Sequence, residues 1–271
     1  MAVQLIALDM DGTLLNSQHL VSHFSQETLL RATERGVALA FATGRSLCEL
    51  DDLRHLLPYL HYAITENGAS VRNLGTGEKI YTCGMDMQSV REIYRLLLPF
   101  DPMFELLADD HIYTQQSCLE HLSEYDVSGF EQIVRKTRTA IPNMADYLAG
   151  RTAPISKIHL FFHSPALRNQ AIEATAGLPF DITHQLPANL EFNRKGVTKG
   201  VGVTKLAQAL GIPLSDVMAI GDNFNDVPML RIAGISVAMG NGEPEARAAA
   251  KYITATNDQD GAAQAILRWV I

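Results

Sequence analysis

Apolar and polar positions along this chain follow two different rhythms. From Val3 to Leu8 the residues are almost continuously aliphatic, the mark of a strand covered on both faces, and the run stops on Asp9, Asp11 and Gly12. A helix from Ser25, taken as its cap, runs to Arg35 with Gly36 as the stop signal. A second buried strand, Val37 to Ala42, leads to Thr43-Gly44-Arg45, and a helix from Ser46 to Leu57 closes at Pro58. A short strand from Tyr62 to Thr65 then enters the Asn67-Gly68 turn. Strand and helix alternate throughout, which predicts an α/β fold with a doubly wound parallel sheet.

The rhythm changes near Val71. A hairpin through Leu74 to Gly77, a helix from Asp86 to Leu98, and strands at Met103 to Ala108, His111 to Thr114 and Ser156 to His163 describe an α+β segment. The alternation resumes with a strand at Asn189 to Asn193, a helix at Thr198 to Gly211, a strand at Asp216 to Ile220, a helix at Phe224 to Ala233 and a strand at Ile235 to Ala238. Two closing helices follow, Glu243 to Ala250 and Gly261 to Trp269. The expectation is a split core, residues 1–83 plus 190–271, interrupted by an inserted domain at 84–189. In the strand at Ser156 to His163, Ile158, Leu160 and Phe162 share one face and His159, Phe161 and His163 the other. His159 and His163 stand about 13 Å apart at ~3.3 Å per residue, too far to share one ion. Their face is a candidate surface for setting substrate choice.

Composition narrows the partners. The 271 residues are 47% hydrophobic and 19% charged, as in a globular protein with a real core. A net charge of -8 leaves no basic stripe for nucleic acid or an anionic membrane, while a small phosphorylated ligand stays compatible. Cys48, Cys83 and Cys118 fit reduced thiols better than a disulfide framework or a zinc cluster. The start of the chain lacks a basic segment before its apolar run, and no stretch approaches the length of a membrane span, so a cytoplasmic protein is expected.

Four islands carry candidate chemistry: Asp9-Met10-Asp11-Gly12-Thr13, Thr43-Gly44-Arg45, Lys199-Gly200, and Gly221-Asp222-Asn223-Phe224-Asn225-Asp226. Each has an ordinary reading, as a turn, a solvated first-turn charge or a capping loop. All four, however, fall at the carboxyl end of an expected strand or the amino end of an expected helix, where open sheets bind ligands and helix termini bind anions.

With Glu66-Asn67-Gly68-Ala69 and Lys195-Gly196-Val197-Thr198-Lys199-Gly200 between them, these motifs resemble the haloacid dehalogenase-like hydrolases, and among them the Cof-type sugar phosphatases with an α/β cap of the C2B kind. The resemblance covers nearly the whole chain. It implies a Rossmann-like core with an inserted cap, and a phosphatase acting on small phosphorylated metabolites. Asp9 would be the nucleophile and Asp11 the acid and base. Asp9, Asp222 and the main-chain carbonyl of Asp11 would hold Mg2+. Thr43, Asn225, Lys199 and the amides of Met10 and Gly44 would hold the phosphoryl oxygens, with Asp226 behind them orienting Lys199 or a metal-bound water. A monomer or weak dimer is expected. The motifs alone leave open a phosphomutase, a phosphoacceptor signalling module and a non-catalytic phospholigand sensor.

Overall fold

The computed structural model describes residues 2–51, 53, 58–125, 127, 129, 131–184 and 186–271. Strands are numbered along the chain. The first are β1 (Leu5–Leu8), β2 (Ala38–Ala42), β3 (Tyr62–Thr65), β4 (Ser70–Asn73) and β5 (Lys79–Thr82). There follow β6 (Met103–Ala108), β7 (His111–Gln115), β8 (Arg138–Ile141), β9 (Lys157–Phe161), β10 (Phe180–Thr183) and β11 (Asn189–Arg194). The chain ends with β12 (Val217–Gly221), β13 (Ile235–Ala238) and β14 (Tyr252–Ile253). Among the described residues these strands make two sheets, one of eight strands in the order β14-β13-β12-β1-β2-β3-β4-β5 and one of six in the order β10-β11-β9-β6-β7-β8. The chain divides accordingly into two compact units, residues 1–45, 50–82 and 197–271 in the first, 46–49 and 83–196 in the second.

The first unit is the expected α/β core. Its strands from β14 to β3 are parallel, and the hairpin β4-β5 extends the sheet antiparallel at one edge, so the sheet is mixed rather than wholly parallel. Strand β1 lies between β2 and β12, with Leu5 opposite both Ala38 and Val217. The strand order therefore reverses beside β1, and its carboxyl end opens on the crevice such sheets use for ligands. Leu5 and Ala7 pack with Ala40, Val203, Leu206, Val217 and Ala219 on one face, while Ile6, Leu8, Leu39 and Phe41 are buried on the other. This two-sided burial is why β1 reads as an unbroken apolar run.

Two helix ends differ from the sequence reading. The first helix is His23–Glu34, and Ser22 rather than Ser25 caps it, accepting the Ser25 amide at 3.0 Å. Ser25 instead donates its hydroxyl to Asp260. The helix expected at Ser46 to Leu57 begins as a single 3-10 turn, Leu47–Glu49, and positions 52 and 54–57 of it lie outside the described residues. The helix that matters most to the site, Lys199–Leu210, starts where Thr198 accepts the Val201 amide and ends at Gly211 with φ 69°. Among the described residues no helix is long and apolar enough to cross a membrane.

The second unit packs one face of its sheet, including Phe104, Leu106, Ile158, Leu160, Leu190 and Phe192, against its own helices. Strand β11 corrects the expected boundary. It pairs with β9 and β10, so residues 190–196 belong to this unit and not to the core. The physical sign was its alternation: Leu190 and Phe192 point into the apolar core and Asn189, Glu191 and Asn193 to the opposite face, as in an antiparallel sheet packed on one side. The proposed His159-Phe161-His163 surface also needs correction. Phe161 is buried with Met103, Leu122 and Val127, and His163 lies beyond the end of β9, stacked on Tyr125 with ring centres 4.5 Å apart.

That polar face closes on itself through opposite charges. Arg138 donates to Glu105 at 2.6 Å and 2.9 Å and to Glu49 at 2.6 Å, while Lys157 meets Glu191 at 2.8 Å. His159 lies between Glu105, at 3.2 Å, and Asn189, at 2.9 Å. Burial would raise the Glu105 carboxyl, yet Arg138 and the hydrogen bond from His159 bring it from the ordinary 4.5 down to about 2. A depressed carboxyl stabilises the folded state above its unfolded value and loses that contribution as pH falls towards the folded one. Glu105→Gln should therefore destabilise the chain by about 3 kcal/mol near neutral pH, because it replaces a carboxylate held below its ordinary range with a neutral amide and leaves Arg138 with Glu49. Urea unfolding from pH 7 down to pH 2 checks this, since the difference between the two proteins should shrink through the window from 4.5 to about 2.

Candidate active site

The site is built where β1 runs out. Asp9 is the last residue tied to the sheet, its amide donating to the Ile220 carbonyl at 3.0 Å. The amides of Thr13 and Leu15 then fold back to the Met10 carbonyl at 3.3 Å and 2.8 Å, and Gly12 takes φ 80° in the turn. A side chain at Gly12 would fail for a second reason, because its Cβ would stand 2.5 Å from Asp222 Oδ2. The turn separates two carboxylates that a continued strand would have pointed the same way. Asp9 is buried, whereas the Asp11 side chain stays 47% exposed and accepts two bonds from Arg45, through Nε at 2.8 Å and through Nη2. Met10, between them, turns its side chain into the core.

Lys199, 1% exposed, reaches this point from the first turn of its helix. Its Nζ lies 2.6 Å from Asp9 Oδ1 and 2.6 Å from Asp226 Oδ1. Burial opposes the ammonium charge, but Asp226 and Asp9 outweigh it and hold the pKa of Lys199 above its ordinary value. Asp9 and Asp222 are shifted upward as well, which for a carboxylate disfavours the charged form. Burial, then the charge of Asp226, pushes the Asp9 pKa well up despite Lys199, and burial also raises Asp222. The site thus carries more negative charge than its single lysine offsets.

Asp222 and Asp226 stand on the loop after β12. Asp226 Oδ2 accepts the amides of Asp222 at 2.9 Å and Asn223 at 3.0 Å, which folds the loop into a capped turn, Phe224–Asp226, before the helix Val227–Ile232. With Oδ1 on Lys199, both oxygens of Asp226 are engaged. Asp222 is held by Thr13, whose hydroxyl donates to its Oδ1 at 2.7 Å. Ligand atoms of Asp9, Asp222 and Asp226 all lie within 4.8 Å of one another, so this group could hold a cation. The saturated Asp226 is the poorest ligand of the three, leaving Asp9 and Asp222 as the pair with oxygens to share.

Thr43, 1% exposed, takes its place through its own amide on the Ile64 carbonyl, and its hydroxyl oxygen accepts the Arg45 amide at 3.1 Å. That leaves the hydroxyl proton to donate. Gly44 follows against Asn67, whose Oδ1 would be 3.1 Å from a Cβ at position 44. Asn225 donates its Nδ2 to the same Asn67 Oδ1 at 3.2 Å, and its own Oδ1 is buried without a hydrogen-bond partner. The structure therefore gathers Asp9, Lys199, Asp222 and Asp226 into one charged cluster, and Thr43, Gly44 and Asn225 around Asn67. The sequence reading assigned no role to Thr13, Arg45 or Asn67. All three lie inside quoted motifs, but their partners are far away in sequence, Thr13 from Asp222 by 209 positions.

The arrangement has a known family. A model of the haloacid dehalogenase-like hydrolases matches residues 6–266, a span that includes every residue of the site. This chain is a haloacid dehalogenase-like hydrolase. It falls in the Cof-type, subclass IIB branch. The hydrolase is 30% identical over 274 residues to the 5-amino-6-(5-phospho-D-ribitylamino)uracil phosphatase YcsE of Bacillus subtilis (strain 168), with 99% of this chain and 96% of that protein covered. It is 30% identical over 247 residues to the HMP-PP phosphatase of Escherichia fergusonii, covering 90% of this chain and 87% of that one. Among solved structures, a haloacid dehalogenase-like hydrolase from Bacteroides thetaiotaomicron matches with a TM-score of 0.84 at 28% identity, over 98% of this chain and 99% of the other. A subclass IIB sugar phosphatase matches with a TM-score of 0.76 at 25% identity, over 98% of each chain. This hydrolase is thus an enzyme whose named relatives are phosphatases.

A buried ammonium between two carboxylates makes a stability prediction independent of turnover. Lys199→Met keeps the length of the side chain but leaves Asp9 and Asp226 facing each other without a cation. Unfolding in urea at pH 7 should show a loss of roughly 3 to 5 kcal/mol. A variant as stable as the parent would mean that Lys199 does not hold the cluster together.

Proposed function

We propose that this hydrolase is a Mg2+-dependent phosphatase of small phosphorylated metabolites, with sugar phosphates the foremost class, working through an aspartyl-phosphate. The observation that supports this best is the state of Asp9. It is fixed at a strand end by Lys199 on Oδ1, which leaves Oδ2 to attack, and it lies beside Asp222 in a cluster with excess negative charge. A carboxylate oxygen of Asp9 bonds to phosphorus while the bond to the ester oxygen breaks, and Asp11 passes a proton to that oxygen so that it leaves as an alcohol. Asp11 then takes a proton from the water that attacks the aspartyl-phosphate, and orthophosphate departs with Asp9 restored. Asp11 must first exchange Arg45 for the leaving oxygen, since both its oxygens now accept from the guanidinium.

The remaining residues position and screen. The Thr43 hydroxyl, the Asn225 amide, the Lys199 ammonium and the main-chain amides of Met10 and Gly44 hold the phosphoryl oxygens, and Asp226 orients Lys199. Asp9, Asp222 and the Asp11 carbonyl offer the hard oxygen donors that Mg2+ takes. The ion supplies positive charge against a repulsion of roughly 4 kcal/mol per unit-charge pair at 4 Å and an effective dielectric near 20, which one lysine cannot offset. The second unit is read as the cap that sets substrate choice. The net charge of -8 favours small metabolites over nucleic acid, and the thiols of Cys48, Cys83 and Cys118 suit the reducing cytoplasm, where we place the enzyme as a monomer or weak dimer.

The reading is tested by phosphate release from sugar phosphates and p-nitrophenyl phosphate. Chelating divalent ions should stop turnover and added Mg2+ should restore it, and Asp9→Asn should lower kcat by about a thousandfold or more with the fold intact. Turnover that survives either change would place the metal or the nucleophile elsewhere. Asp11→Asn separates the two half-reactions. A sugar alkoxide leaves poorly without a proton, whereas nitrophenolate does not need one, so the variant should give a burst of nitrophenolate approaching one equivalent per site and then a slow steady state. No burst, with equal losses on both substrates, would deny Asp11 the acid and base role.

A further inference from the structure

The segment Glu66-Asn67-Gly68 is set unlike any other in the first unit. Its residues take φ 56°, 55° and 96° in succession, so two of the three are non-glycine residues in the left-handed region, each at a cost of about 1 kcal/mol. The neighbours that hold it there belong to the site. The Glu66 amide donates to the Arg45 carbonyl and the Asn67 amide to the Thr43 carbonyl, both at 3.0 Å. Gly68 lies flat against the residue that caps the Lys199 helix, where a Cβ would stand 2.1 Å from the Thr198 carbonyl oxygen. The segment thus fastens the Thr43 loop to the start of the Lys199 helix, and its Asn67 side chain meets the third element of the site at Asn225.

We propose that Asn67 is a positioning residue for phosphoryl binding, setting which end of the Asn225 carboxamide is presented to the phosphoryl oxygens. The proposal rests on the phosphatase reading above. An anion needs the N–H end of Asn225, yet here Asn225 Nδ2 is spent on Asn67 Oδ1 at 3.2 Å and its carbonyl oxygen is buried without a partner. An orphaned buried acceptor costs about 1 to 3 kcal/mol. Two facing carboxamides have a second arrangement with the same number of bonds. If both amides turn end for end, Asn67 Nδ2 donates to Asn225 Oδ1, the orphan is satisfied, and Asn225 Nδ2 is freed from Asn67. A bound phosphoryl group favours that arrangement because it pairs with only one of the two ends. Asn67 alone makes the exchange possible, since an amide both donates and accepts while a carboxylate only accepts. The Gly44 backbone lies close beside this amide, with Asn67 Oδ1 3.1 Å from where a Cβ at position 44 would stand.

Four variants test this: Asn67→Gly, which deletes the amide but keeps the left-handed backbone, Asn67→Asp, which only accepts and so pins Asn225 in the wrong direction, Asn225→Ala, and the Asn67→Gly/Asn225→Ala double variant. Each is measured for kcat and KM with p-nitrophenyl phosphate and Mg2+, for binding of inorganic phosphate by calorimetry, and for thermal unfolding. Asn67→Gly should weaken phosphate binding and raise KM about tenfold, and Asn67→Asp more. In the Asn225→Ala background, Asn67→Gly should add less than about twofold, because a residue that acts through Asn225 has nothing left to act on. A wild-type KM in Asn67→Gly overturns the proposal. So do losses that multiply in the double variant, whether or not they track a lowered unfolding temperature. A parent protein that binds phosphate but hydrolyses no ester overturns the phosphatase reading alone, since phosphate binding by the four variants still decides the pairing. A parent that binds no phosphate overturns both.

Discussion

One buried ammonium constrains the first unit more than any other group. Lys199 sits away from water with carboxylates 2.6 Å away on two sides, so it is tolerable there only if both Asp9 and Asp226 arrive in register. Those two residues end or follow adjacent strands, β1 and β12, and the lysine opens the helix that precedes β12. The ion triad therefore fixes three chain segments together. The small residues around it follow from that requirement. A Cβ at Gly12 would press on Asp222, and one at Gly221 would stand 2.5 Å from the Asp226 side chain.

The two units use buried charge in opposite ways. In the second, Arg138 answers Glu105 and Glu49, Lys157 answers Glu191, and the Glu105 carboxyl is drawn below its ordinary range. Those charges are closed pairs, and their work is to hold a sheet face that hydrophobic side chains do not fill. In the first, three carboxylates share one lysine, and Asp9 and Asp222 are pushed up instead. Paired cations draw the Glu105 carboxyl down against burial, whereas burial, with the charge of Asp226 added, raises Asp9 and Asp222 where one lysine is shared.

Much of this was legible in the chain. The apolar run before Asp9 announced a two-sided strand with a carboxylate at its end, and Thr198 before Lys199 placed that lysine in the first helical turn where the structure has it. The strand β11 was read correctly as a strand and assigned to the wrong sheet, although its Leu190 and Phe192 alternate with polar residues, unlike the continuous apolar run of β1. The roles of Thr13, Arg45 and Asn67 were not legible. Each depends on a partner fixed by tertiary structure, 209, 34 and 158 positions away, and no local periodicity encodes such a distance. Ser22 and Ser25 show the same limit at short range. Both can cap a helix, and both hydroxyls donate to Asp260 near the other end of the chain, a partner that no local pattern reveals.

Asp9 and Asp11 are two positions apart and do different things because the strand ends between them and Leu8. Had β1 run on, the two side chains would have shared one face and one environment, and two carboxylates crowded together cannot divide the roles of nucleophile and acid. The turn closed by Thr13 and Leu15 on the Met10 carbonyl instead leaves Asp9 in the buried cluster and puts Asp11 at the exposed rim beside Arg45. What fixes the turn also reaches the carboxylate cluster, since Thr13, which helps close it, holds Asp222 with its hydroxyl. A single local feature, the loss of strand geometry after Leu8, thereby separates the two carboxylates proposed as nucleophile and acid and ties Asp222 to the same turn. The motif at residues 9–13 is short because each of these tasks has to be met within one turn of backbone.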